Sequence, residues 1–127
     1  DASTSWRRAR RSIATMLDIH HYREGVDGEA LGWAYRRLAA IEASRRLLVL
    51  VSDGAPMETA TSGANRLGFL DDHLAAVAAA LDARHDVEVG ALTLDADLSG
   101  IFCRSRSIDL DGTLSLGHYE VLADLFG

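Results

Sequence analysis

Ser52-Asp53-Gly54 ends an apolar run and is the most chemically suggestive segment of this 127-residue sequence. Glycine lets the backbone turn sharply, which leaves the Asp53 carboxylate exposed where a strand stops. One hard oxygen ligand in such a place suits Mg²⁺, which keeps several waters and takes only one or two carboxylates. The same carboxylate could instead accept hydrogen bonds from amides of the following loop, and spacing leaves both readings open. Asp95 and Asp97 follow a second apolar run. Asp27 and Glu29 stand where a helical segment begins. There Asp27 is placed to cap the helix and Glu29 to favour its positive end, with Asp27 a second, weaker candidate for the metal.

Other constellations lack context. His20 and His21 are neighbours that diverge on a helix, so they cannot form an i,i+4 metal pair, and His73, His85 and His118 stand alone as surface or packing residues. Asp1-Ala-Ser-Thr-Ser5 matches Asp-x-Ser-x-Ser, but a helix follows it at once and no apolar strand leads into it, so the match reads as chance. Gly-x-Ser-x-Gly and the phosphate-cradling Gly-x-x-x-x-Gly-Lys are both missing. Nucleophilic catalysis and nucleotide hydrolysis therefore have no residues to carry them.

Composition narrows the class further. Apolar residues make up 48% and charged residues 25%, the balance of a soluble globular domain. No apolar run approaches the roughly 20 residues that span a bilayer, and no apolar segment follows the N-terminal arginines as a secretory signal would require. Cys103 is the only cysteine, which favours a reducing compartment, and the expected location is the cytoplasm. The net charge of −6 divides into +3 over residues 1–46 and −9 over residues 47–127, and every basic residue is Arg. An acidic chain is a poor nucleic-acid binder. The cluster Arg7, Arg8, Arg10 and Arg11 reads as a solvated helix face or a surface for an acidic partner.

The elements that must position these groups follow from hydrophobic period. Residues 6–19 read as a helix with Trp6, Ile13, Met16 and Leu17 on one face, and residues 28–40 as a second with Leu31, Ala34, Tyr35 and Leu38. Residues 47–51 are continuously apolar, as suits a strand buried on both faces of a parallel sheet. Residues 55–67 read as a Gly/Ser/Thr/Asn loop and 69–84 as the clearest helix. Residues 87–94 and 106–110 read as strands, and Ser115 as the cap of a closing helix. The expectation is one α/β, doubly wound domain over 1–127, with about three mostly parallel strands flanked by helices and its first strands missing.

Several segments together carry a resemblance. Trp6-Arg-Arg-Ala-Arg10, Asp27-Gly-Glu-Ala-Leu31, Trp33-Ala34, Arg45-Arg46, Val51-Ser-Asp-Gly-Ala-Pro56, Phe69-Leu70, His73-Leu74 and Leu125-Phe126 occur in this order. The series resembles the C-terminal von Willebrand factor A domain of the CobT subunit of aerobic cobaltochelatase. The resemblance implies a partial, Rossmann-like A domain. It also implies a role in cobalamin biosynthesis, where a AAA+ ATPase ring and this kind of subunit drive a large chelatase subunit to insert Co²⁺ into hydrogenobyrinic acid a,c-diamide. Asp53 matches the aspartate of the family's metal-ion-dependent adhesion site, whereas Asp27 lies near a loop where many A domains supply threonine. The strand with the family's Asp-x-Ser-x-Ser is expected before residue 1, so Mg²⁺ is expected to bind this chain weakly or not at all.

Two alternatives stand beside this reading: an A domain serving another AAA+ system of the MoxR type that activates a different metalloenzyme, and a Mg²⁺-dependent hydrolase using Asp53, Asp95 and Asp97. In the strand order that the resemblance implies, 3-2-1-4-5-6, residues 47–51 are the fourth strand and lack their neighbour. Leu47, Val49 and Val51 then lie on an exposed edge. The expectation is self-association, most simply as an antiparallel two-fold dimer, or an edge covered by the chain's own N-terminal helix.

Overall fold

The computed structural model describes residues 4–18, 20, 24–54, 56–94, 96–108, 120–121, 123–125 and 127. Their elements in chain order are α1 (Trp6–Thr15), α2 (Asp27–Ala39), β1 (Leu47–Ser52), α3 (Thr59–Ala64), α4 (Phe69–Asp82), β2 (Glu88–Leu94) and β3 (Ser105–Ile108). The strands form one open sheet in the order β1-β2-β3, all parallel, with Leu47 beside Glu88 and Ala91 beside Ser105. Parallel neighbours need a long crossover, and α3 and α4 supply it between β1 and β2.

The core forms on one face of this sheet. Leu31 and Tyr35 of α2 and Leu74, Ala78 and Leu81 of α4 bury against Val89 and Ala91 of β2, with Leu48 and Leu50 of β1 packed alongside. The i, i+4, i+8 and i+11 positions Leu70, Leu74, Ala78 and Leu81 make one stripe of α4, and all four are buried. Gly28 is required where α2 crosses α4: a Cβ there would lie 2.7 Å from His73 Cδ2. At the far end of the sheet the Tyr35 hydroxyl donates to both oxygens of Asp86 at 2.6 and 2.7 Å. Arg45 grips Glu88 with two bonds of 2.6 and 3.0 Å, and Arg104 approaches the same carboxylate at 3.7 Å.

Four expectations change. The first helix ends at Thr15 rather than residue 19, and none of its residues is buried; Trp6 is 68% exposed. β1 is not buried on both faces, because Leu47 is 41% and Val51 61% exposed. A continuous apolar run cannot distinguish an internal strand from one at the end of a sheet, and among the described residues β1 is at the end. The segment 55–67 contains the short helix α3, held by Glu58, whose side chain accepts from the amides of Ala60 and Thr61. The third strand runs Ser105–Ile108 instead of 106–110. Of the closing helix, Ser115 lies outside the described residues; residues 120–121 and 123–125 are helical and Leu125 is buried.

Candidate cation site at the strand ends

In an open parallel sheet, ligands bind beyond the carboxyl ends of the strands, and Asp53 lies there, exposed, directly after β1. Strand alternation puts Ser52 on the same side as Leu48 and Leu50, the side covered by α2 and α4. Its hydroxyl donates to Asp27 Oδ2 at 3.1 Å and accepts from the Gly54 amide at 3.1 Å. Ser52 thus ties the start of α2 to the turn that carries Asp53.

Asp27 is therefore not the cap expected of it. Val26 occupies the N-cap position with extended backbone, and no side chain bonds there; Asp27 is the first helical residue. Shifting the helix start by one position turns the carboxylate from its own amides towards β1. Glu29, on the next turn-facing position, lies 3.2 Å from His73 Nε2. That nitrogen is buried and makes no aligned hydrogen bond, so of the two readings, surface or packing, His73 takes the second and packs against Gly28.

The neighbouring loops are pinned around this corner. Gly54 has φ +86°, and a Cβ on it would fall 2.3 Å from the Cβ of Ala96, so the loops after β1 and β2 touch. Thr93 is fully buried and donates to the Ala96 carbonyl at 2.5 Å. Glu24 accepts from the Thr59 amide and hydroxyl at 2.6 and 2.7 Å, and Gly25 bridges Met57, which fastens the segment before α2 to the one after β1. The Thr59 hydroxyl and amide hold the Glu24 carboxyl below its usual range. Asp97 serves a turn, accepting from the Ser99 amide at 2.8 Å, and this bond lowers its pKa. Asp95, His21, His118 and residues 1–3 lie outside the described residues.

Asp27, Ser52 and Asp53 offer only hard oxygen donors, the set that Mg²⁺ accepts while keeping waters. Among the described residues no three His, Cys, Asp or Glu side chains gather to hold a metal ion. The structure brings the Ser52 hydroxyl to Asp27 and leaves Asp53 on the next residue of the turn. Asp53 was legible from Ser-Asp-Gly; the bridging Ser52 was not singled out, although its even spacing from Leu48 and Leu50 is the signal that points it at α2.

A family model described as the cobalamin biosynthesis protein CobT VWA domain matches residues 1–118. The chain belongs to the CobT VWA domain family. The parallel, helix-flanked sheet is that of a partial VWA domain, and membership connects the CobT-type chain to cobalamin biosynthesis. No solved structure gives a significant match. No helix among the described residues is long and apolar enough to cross a membrane.

Proposed function

We propose that this CobT VWA domain is an interaction module of the cytoplasmic, ATP-dependent aerobic cobaltochelatase that inserts Co²⁺ into hydrogenobyrinic acid a,c-diamide. The observation that carries the reading is the family match over residues 1–118. In this reading ATP hydrolysis belongs to a AAA+ partner subunit and insertion to a large chelatase subunit, while the VWA domain docks one against the other. The docking rim is the corner formed by Asp27, Ser52 and Asp53. Its support is that one hydroxyl joins both acidic segments there.

A divalent cation such as Mg²⁺, when bound, supplies positive charge at this acidic rim for an anionic group of the partner. Asp53 would hold it directly and Asp27 through water. Ser52 orients Asp27 by its hydrogen bond, and the contact of Gly54 with Ala96 fixes the turn. The decisive experiment reconstitutes Co²⁺ insertion from the purified ATPase, large and VWA subunits. Insertion should require the VWA subunit and fall at least about tenfold when Asp53→Ala replaces it, a loss of the size that follows from removing one charged contact. Full insertion without the VWA subunit refutes the proposal.

A further inference from the structure

α2 and α4 lie side by side over the sheet, and a groove of about 340 Å³ runs along their seam on the solvent side. Buried Tyr35 and Leu81 form its floor, and Gly32, Val77 and Ala80 its walls. The α2 wall is low because residue 32 has no side chain; a Cβ there would meet Arg36 Nη1 at 3.6 Å and nothing else within 4 Å. The next residue is Trp33, 57% exposed on the face of α2 opposite Leu31 and Tyr35. The Arg37 guanidinium covers one side of its ring, 5.0 Å from the centroid, and a flat ring has a second side. The charges of the same outer face are ordered. Glu29 stands three residues before Gly32 and Arg36 three residues after Trp33, both exposed. Glu29 Oε1 lies 3.2 Å from His73 Nε2 without an aligned hydrogen bond, which leaves Oε2 for another donor. Among the described residues no acidic side chain pairs with Arg36.

We propose that this face binds a second copy of the chain, α2 against α2, with the two-fold axis passing between Gly32 and Trp33. A two-fold contact requires a surface complementary to itself, and this axis makes the face so by shape and by charge. Trp33 of each copy lies over Gly32 of the other, its uncovered side on the low wall and its edge in the groove towards Val77 and Ala80. Glu29 of each copy lies opposite Arg36 of the other, where a guanidinium can bind a carboxylate with two parallel bonds. The two helices run antiparallel about the axis, so each positive N-terminal end approaches a negative C-terminal end. Shape and charge select this register independently. An axis through Trp33 sets ring against ring and turns Glu29 to Arg37, already engaged on the indole. An axis through Gly32 sets Glu29 against Tyr35, which is buried. The groove, the ring and the charge pair all belong to two helices packed on the core. This inference concerns the chain alone and does not rest on the chelatase reading.

Trp6 and Trp33 are the only tryptophans, so a Trp6→Phe chain reports on Trp33 alone. Its emission should move to the blue, and quenching by acrylamide should fall, as the chain is concentrated from ~1 to ~500 µM, the range of modest associations. Sedimentation velocity over the same range should show a reversible monomer–dimer equilibrium. Trp33→Ala should weaken the dimer about tenfold or more, as loss of a central aromatic anchor does. Glu29→Arg and Arg36→Glu should each weaken it, and the two together should restore most of the affinity, as complementary charge requires. Gly32→Ala separates docking from folding. Alanine favours a helix over glycine, so the urea midpoint should rise, while the added methyl group occupies the seat of the ring and the dimer should weaken. A strict monomer at every concentration overturns the proposal, as does a dimer that keeps its affinity in Trp33→Ala or a double variant weaker than both singles. Trp33 emission that moves only when another protein is added overturns it too, since the occupant is then not a second copy.

Discussion

Asp53 follows β1 directly and is exposed. Asp53→Ala should therefore leave stability within about 1 kcal/mol of the parent, the range for sites away from packing, while damaging insertion by the reconstituted chelatase. Urea unfolding of the variant checks the first half; a collapsed domain would make Asp53 a structural residue. Ser52→Ala should release Asp27 without opening a cavity, whereas Ser52→Thr keeps the hydroxyl and should retain more of the function. What could be read at this scale was the end of the strand, because Ser-Asp-Gly announces a turn. The position of Asp27 in the helix is not legible, for a definite reason. An acidic residue before a helical stripe looks the same at N-cap and at the first helical position, and only the extended backbone of Val26 decides between them.

The contact between α2 and α4 holds the corner in place, and its tightest point is Gly28 against the His73 ring. Gly28→Ala should cost about 1–3 kcal/mol through overpacking, and His73→Ala should recover part of that loss in the double variant. Leu74, completely buried in the same contact, should cost about 2–5 kcal/mol as Leu74→Ala. Chemical denaturation with unchanged slope is the measurement for both. These elements were the legible ones: α4 declares itself through its three-and-four spacing, and β2 through its apolar run. α3 was not legible, since Thr-Ala-Thr-Ser-Gly-Ala has little helix propensity and depends on the Glu58 cap. β1 is legible as a strand but its burial is not, because exposure of Leu47 and Val51 is set by what stands next to the strand and not by the strand itself.

Over the whole molecule, carboxylates with lowered pKa values fasten the parts together. The Arg45 guanidinium holds the Glu88 carboxyl below its usual range, the Tyr35 hydroxyl does the same for Asp86, and Thr61 for Glu58. A depressed folded-state pKa adds stability that is complete above the ordinary carboxylate range, near pH 4, and is lost as pH falls through the lower folded values. The urea midpoint should thus hold steady near neutrality and fall below about pH 4. The Asp86 bond raises the pKa of Tyr35, so its share is present below the ordinary tyrosine value near 10 and disappears as pH rises through the folded one. Tyr35→Phe should flatten that alkaline loss. Calorimetric titration of the chain with Mg²⁺ should give no site tighter than about millimolar, as two carboxylates without a cage imply. Tight stoichiometric binding would show that further ligands were overlooked. The architecture itself was legible as an open α/β sheet, because strand and helix periods alternate along the chain. The bareness of α1 was not, since its apolar stripe looks like any buried one and nothing in a sequence says what it faces.

The meeting of Gly54 with Ala96 makes the turn after one strand and the turn after the next behave as meshed gears. Since a Cβ at position 54 would overlap that of Ala96, the two turns meet there, and a displacement of one towards the other presses on it. A push at Asp53 directed towards Ala96 would bear on the head of the 96–102 segment, which is anchored through Leu98 and Phe102 in the core. The rim is a lever whose short arm is exposed and whose long arm is buried, and nuclear relaxation dispersion should register one shared exchange rate at the amides of Gly54 and Ala96.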